Sequence, residues 1–122
     1  MIYTVSEASQ KLGIPGSTIR FYDKQGLLPF VERSPGGVRL FTDADIRRLQ
    51  DILALKDAGF AIKEIARFIR LEDEGSASLS LRLEMLRHRC FEVETEIAKL
   101  QGTFHTLKQK CRSYENMIRK TD

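Results

Sequence analysis

Ser17-Thr18-Ile19-Arg20-Phe21-Tyr22-Asp23-Lys24-Gln25-Gly26-Leu27-Leu28 is the stretch on which the reading of this chain turns. It reads as one short helix stopped by Gly26, with Ile19, Phe21, Leu27 and Leu28 anchoring it to a core. Ser17, Thr18, Arg20 and Lys24 are hydroxyl and cationic groups of the kind that meet nucleic acid. Upstream, residues 4–12 read as a second short helix. Thr4 and Glu7 match a capping box, Val5, Ala8 and Leu12 follow a helical period, and Gly13 ends it. Pro15 suits the entry to the next helix, because the N–H it lacks would have no partner in a first turn. Two short helices around a glycine-containing turn form the helix-turn-helix pattern, whose second helix enters the major groove of DNA.

Residues 30–41 change character. Two short extended runs, Val31-Glu32 and Val38-Arg39-Leu40-Phe41, flank Arg33-Ser34-Pro35-Gly36-Gly37 and read as a β-hairpin. Composition alone leaves open a surface loop with two solvated arginines. Thr42 then caps a third helix, with Asp43 and Asp45 in the first turn, where the helix dipole favours acids. Its apolar stripe is Ile46, Leu49, Ile52 and Leu53, and Gly59 stops it. Residues 60–71 read as a fourth helix with Ile62, Ile65, Ala66 and Ile69 on one face. Lys63 lies near its start, where a cation is poorly placed for the dipole; a phosphate there would reverse that. Residues 72–80, acidic and then serine-rich, read as leading through a hinge.

From Leu83 onward the apolar steps alternate three and four without a break. They run Leu83, Leu86, Cys90, Val93, Ile97, Leu100, Phe104, Leu107, Cys111, Tyr114, Ile118. Such a heptad pattern signals a coiled coil, and at 1.5 Å per residue the stripe is roughly 50–55 Å long. A chain this short has nothing else to cover it, so the stripe predicts a homodimer. An antiparallel register centred on Gly102 opposes Arg87 to Glu115, Glu94 to Lys108 and Glu96 to Lys110. A parallel one also finds partners, Arg89 with Glu94 and Lys110 with Glu115. In the antiparallel register Cys90 faces Tyr114 and Cys111 faces Val93. Both cysteines then read as small buried apolar residues, not a disulfide, redox or metal site. His88 and His105 fall on outer positions.

Several of these segments together carry a resemblance. Tyr3-Thr4-Val5-Ser6-Glu7-Ala8, Thr18-Ile19-Arg20-Phe21-Tyr22-Asp23, Gly26-Leu27-Leu28-Pro29, and Arg33 with Gly37-Val38-Arg39-Leu40-Phe41 resemble the MerR family of bacterial transcription regulators. The match spans about the first 70 residues, in order. The resemblance implies that the hairpin is a wing whose Arg33 and Arg39 reach the sugar-phosphate backbone, and that the coil is antiparallel. It further implies a dimer that bends and untwists a promoter with an overlong spacer, so that RNA polymerase can engage. Metal-sensing members carry a cysteine-bearing loop after the dimer helix, redox-sensing members a cysteine cluster, and others a large drug-binding domain. The sequence closes at Asp122 with none of these, so no metal or cofactor is expected.

Composition agrees with a nucleic-acid partner without demanding one. The net charge is +3 and the pI about 9.0. Residues 1–41 carry five bases against three acids, residues 42–74 six against eight, and residues 75–122 nine against six. The middle segment is therefore the least suited to face phosphate. No apolar run approaches the ~18 residues of a membrane span, and the start does not read as a signal peptide, so a cytoplasmic protein is expected. No clustered nucleophile, acid–base pair or ligand set marks an enzyme.

The expected architecture is mainly α. A winged helix-turn-helix DNA-binding domain spans residues 1–74, a hinge 75–80, and an antiparallel coiled-coil dimerisation helix 81–122. Ser17, Thr18 and Arg20 are the expected base-edge or adjacent phosphate contacts, arginine being the best reader of guanine. Tyr22, Arg33, Arg39 and Lys63 are the expected phosphate contacts. The expected partners are double-stranded promoter DNA at a pseudo-palindromic operator, a second copy of the chain, and RNA polymerase on the same promoter. The rival readings are an architectural or prophage DNA-binding protein without promoter activation, and a coiled-coil adaptor. The operator, the effector, and the choice between activation and repression are not written in the sequence.

Overall fold

A computed structural model describes residues 1–121. Met1–Arg82 form one compact unit, and the chain from Leu83 onward forms a second. Asp122, the last residue of the expected dimerisation helix, lies outside the described residues.

The first unit opens with strand β1 (Ile2–Tyr3) and helices α1 (Val5–Leu12) and α2 (Gly16–Lys24). Strands β2 (Glu32–Arg33) and β3 (Arg39–Thr42) follow, then helices α3 (Asp43–Asp57) and α4 (Ile62–Asp73). The capping box foreseen at Thr4 and Glu7 is present, each side chain accepting from the other's backbone N–H. Gly13, at φ 67°, ends α1 in the left-handed region that glycine enters without a Cβ penalty. Thr42 and Asp45 form a second reciprocal box at the start of α3.

The hairpin forms as read. Ser34 closes it: its N–H donates to the Val38 carbonyl at 2.7 Å, and its carbonyl accepts from the Gly37 N–H at 2.8 Å. The sequence reading missed β1, which pairs antiparallel with β3 through Ile2–Thr42 and Tyr3–Phe41 and gives a three-stranded sheet in the order β1-β3-β2. A two-residue strand has no periodicity to detect, and only its partner reveals it.

Core packing is led by Phe41, Ile19, Leu27, Leu49, Ile52, Ile65 and Ile69, all essentially sealed from solvent. α1 packs on α2, β3 and α3, and α4 packs on α3. Two expected core positions differ. Phe21 is not a core anchor: it is 48% exposed, and Tyr22, at 5%, takes that place beside Ile19. On α3 the fourth core position is Leu55, whereas Leu53 is half-buried. Helix phase places Tyr22 three from Ile19 and Leu55 three from Ile52 on the buried faces, while Phe21 is only two from Ile19; Leu53, four from Leu49, lies at the edge of its face. Arg48 joins distant parts of this unit, lying 4.0 Å from the Phe30 ring and donating to Asp73 at 3.3 Å.

Residues 75–80, read as a hinge, carry ordered structure. Gly75–Ser78 form a 3-10 turn packed on α4, and helix α5 (Leu79–Thr121) begins at once. Ser78 is fully buried, and its hydroxyl donates to the Leu71 carbonyl in the last turn of α4, with the Gly75 carbonyl of the 3-10 turn 3.1 Å away. Arg82 braces the turn, donating to Ser78 Oγ at 3.0 Å and the Gly75 carbonyl at 2.8 Å. A serine in a polar run reads as linker, yet here it satisfies carbonyls that a helix end leaves open.

The second unit is the continuous helix from Leu83. Along its stripe Leu83, Leu86, Cys90, Ile97, Leu100, Phe104, Leu107, Cys111, Tyr114 and Ile118 are exposed, and Val93 is half-buried. Both cysteines are therefore free and uncovered in the single chain. No helix among the described residues is long and apolar enough to cross a membrane.

Replacing Ser78 by Ala should cost about 1–3 kcal/mol, because the buried Leu71 carbonyl loses its donor. Chemical denaturation would check it, with exposed Ser76→Ala as the unaffected control. A second expectation concerns pH. The Tyr3 hydroxyl donates to Asp43 at 2.7 Å and holds that carboxyl below its ordinary range. A lowered folded-state pKa stabilises above the unfolded carboxylate range, and that contribution fades as pH falls through the lowered value. Tyr3→Phe should raise the Asp43 titration midpoint seen by carboxyl NMR and make the acid loss of stability shallower.

Candidate nucleic-acid interface

The exposed side of α2 follows from its buried side. With Ile19 and Tyr22 turned inward, Ser17, Arg20, Phe21 and Lys24 fall at i, i+3, i+4 and i+7 and share the solvent face. Thr18 is half-buried at the edge of that face. Phe21 is a candidate site residue that the sequence reading placed in the core instead. The signal was available: counting three from Ile19 reaches Tyr22, which leaves Phe21 outside. An exposed aromatic between two cations suits apolar contact with a thymine methyl group.

Arg20 lies back along the first turn of its own helix. A Cβ placed on Gly16 would stand 3.7 Å from both of its terminal guanidinium nitrogens. Arg20, Lys24 and Lys63 have no ion-pair partner among the described residues. Tyr22, expected on phosphate, belongs to the core, and burial, followed by the charge of Asp57, raises its hydroxyl pKa. Its ring tilts against Phe21, with centroids 6.0 Å apart.

The two wing arginines come together on one acceptor. Arg33 and Arg39 are directly opposite partners in the β2–β3 ladder. Arg33 Nη2 donates to Asp23 Oδ2 at 2.5 Å, and Arg39 Nε donates to the same oxygen at 2.6 Å. Asp23 belongs to α2, so the carboxylate ties the wing to the helix beside it.

The four helices of this unit start differently. α1 and α3 have complete capping boxes, whereas α2 begins after Pro15 and α4 after Ala61, neither of which offers a side-chain oxygen. At α4 only the return half exists, the Ala61 N–H donating to Glu64 at 2.9 Å. Both helix starts thus retain backbone donors and positive dipole ends that an anion can use. Ser17 and Thr18 occupy one, and exposed Lys63 the other. Among the described residues, no group of three His, Cys, Asp or Glu side chains is placed to hold a metal ion.

A helix-turn-helix with a β-wing, an outward cationic face and uncapped helix starts defines a winged-helix DNA-binding protein. Family comparison narrows the class. Residues 3–72 match the model of the MerR HTH family regulatory proteins, and residues 46–110 that of the MerR DNA-binding region. The chain belongs to the MerR family and is a DNA-binding transcriptional regulator, not an enzyme.

An uncharacterized HTH-type transcriptional regulator of Haemophilus influenzae is 37% identical over 115 residues, covering 94% of this chain and 85% of that one. The regulator ZntR of Escherichia coli is 30% identical over 110 residues, covering 88% and 77%. Among solved structures, HiNmlR, a MerR family regulator lacking the sensor domain and bound to promoter DNA, superposes with a TM-score of 0.76 at 37% identity. That match covers 95% of this chain and 92% of HiNmlR. A putative MerR family regulator from Listeria monocytogenes gives 0.78 at 31% identity, covering 93% and 86%.

The opposite placements of neighbouring aromatics make a direct test. Phe21→Ala should leave stability within about 0.5 kcal/mol, as for an ordinary surface change, and weaken DNA binding. Tyr22→Ala should cost about 3–5 kcal/mol of stability through the cavity it leaves. Parallel denaturation and DNA titration of the two variants would check both.

Proposed function

We propose that this chain acts as a homodimeric, sequence-specific regulator that binds a pseudo-palindromic operator within a promoter and distorts the DNA there. The observation that carries the reading is the α2 face formed by Ser17, Arg20, Phe21 and Lys24, beside a wing bearing Arg33 and Arg39. Arg20 and Phe21 read base edges, and Ser17 and Thr18 bind base edges or adjacent phosphates. The wing and Lys63 bind the backbone, and Tyr22 supports the reading helix from the core. The proposed domains are the winged helix through residue 74, a connection at 75–80, and a dimerisation helix from 81.

Support for the dimer comes from the α5 stripe. Leu83, Leu86, Ile97, Leu100, Phe104, Leu107 and Ile118 are all exposed in one chain and continue a heptad repeat. At about 25 cal/mol per Å2 of apolar surface, leaving such a stripe in water is costly, and a second antiparallel copy covers it. Buried in that dimer, Cys90 and Cys111 act as small apolar residues. The solved relative lacking a sensor domain is bound to promoter DNA, which favours promoter DNA as the partner of this chain. Promoter untwisting, engagement of RNA polymerase and a cytoplasmic location follow from the same family reading.

Selection of bound sequences from random DNA at fixed salt, with wild type and Arg20→Ala, tests the proposal. An inverted repeat is expected from wild type, with Arg20→Ala losing about 10–100-fold at that repeat, the worth of one bidentate base contact. Sedimentation should give a dimer that Leu100→Glu breaks. Binding without a consensus, unchanged by Arg20→Ala, would instead leave an architectural DNA-coating protein.

A further inference from the structure

The Asp23 carboxylate occupies an unusual position electrostatically. Arg33 and Arg39 face each other directly across the wing, and like charges opposed in this way push two strands apart. The β2–β3 ladder holds only Glu32–Leu40 and Arg33–Arg39, with the Ser34 bonds closing its turn, so a push between the arginines acts on a short pairing. One oxygen of Asp23 receives both guanidinium groups, at 2.5 and 2.6 Å. The Asp23 side chain is only 14% exposed, which strengthens charge-assisted hydrogen bonds relative to a surface pair.

The two arginines are not equivalent. Arg39 is 22% exposed and spends its Nε on the carboxylate, whereas Arg33 is 50% exposed and uses a single terminal nitrogen. Both guanidinium groups keep donors beyond the one spent on Asp23, but only the half-exposed Arg33 holds them where another acceptor can reach.

We propose that Asp23 is the residue that positions the wing, that Arg39 locks the wing to it, and that Arg33 alone carries the wing's phosphate contact. The proposal rests on the DNA-binding reading above and divides its two wing arginines by role. In the bound state Asp23 holds the Arg33 guanidinium in place, so the phosphate meets a preorganised donor. Asp23 subtracts a charge from the interface, yet its removal weakens binding, because an unheld wing must be ordered at the moment of contact.

The test uses the full chain with Asp23→Asn, Arg39→Gln and Arg33→Gln. In the free protein, amide exchange at Ser34 and Val38, whose N–H groups close the hairpin, should quicken at least tenfold in Asp23→Asn and in Arg39→Gln. It should stay near wild type in Arg33→Gln. On operator DNA, Asp23→Asn and Arg39→Gln should each weaken binding about tenfold, the scale of a hydrogen bond to a charged group. The double variant should be no worse than either single one. Arg33→Gln should instead lower the slope of log K against log salt by about 0.9, one phosphate.

Unchanged exchange in Asp23→Asn overturns the positioning role. Tighter binding with a steeper salt slope in that variant overturns it too, leaving Asp23 as a mere charge offset. A salt slope lowered equally by Arg33→Gln and Arg39→Gln overturns the division of labour. Should Asp23→Asn fail to fold, the exposed Arg33→Gln and the Arg39→Gln comparison still decide between the roles. Wild-type protein that binds no DNA sinks the DNA reading, and the exchange experiment still judges the clamp.

Discussion

The constraint on which the first unit depends is that α2, only nine residues long, must bury one face to exist at all. A helix of that length is marginal alone in water, and its stability comes from packing an amphipathic side. Ile19 and Tyr22 supply that side, backed by Leu27 and Leu28 beyond the helix end. Once they are committed to the core, Ser17, Arg20, Phe21 and Lys24 have only the solvent side left. The exposed polar and cationic face is therefore a consequence of core packing, and the two cannot be altered independently.

Helix ends and the wing add a second layer. Capping boxes close α1 and α3, while the starts of α2 and α4 have no side-chain oxygen capping them. The wing is too small to stand by itself, and it is held from two directions. β1 extends its sheet through Tyr3 and Phe41, and Asp23 gathers its arginines from the helix. Charge thus holds the protein's own hairpin, while Arg33 stays half-exposed.

The second unit obeys a different rule. Its helix has no core of its own, and among the described residues none from Leu83 onward is fully buried. Its heptad repeat makes structural sense only against a partner of matching period, which is why the dimer belongs to the proposed function and not to the fold of one chain. The net charge of +3 is compatible with this arrangement, and the local pattern of cations says more than the total.

What the sequence by itself determined was everything encoded over short spacings. Thr4 with Glu7, Thr42 with its acidic first turn, and the glycine after Leu12 wrote their helix ends locally. Pro35, Gly36 and Gly37 wrote the wing turn, and the heptads wrote the long helix. The family was legible because several such signals occur in a fixed order. Tertiary structure alone decided the features that join residues far apart. It paired Ile2-Tyr3 with β3, brought Asp23 to Arg33 and Arg39, and sealed Ser78 against Leu71. The choice between Phe21 and Tyr22 lies between the two: the three-residue spacing from Ile19 already favoured Tyr22, and packing sealed it. The reason is physical: caps and turns are satisfied within a few residues, whereas burial and charge pairing depend on partners that the chain must first fold to meet.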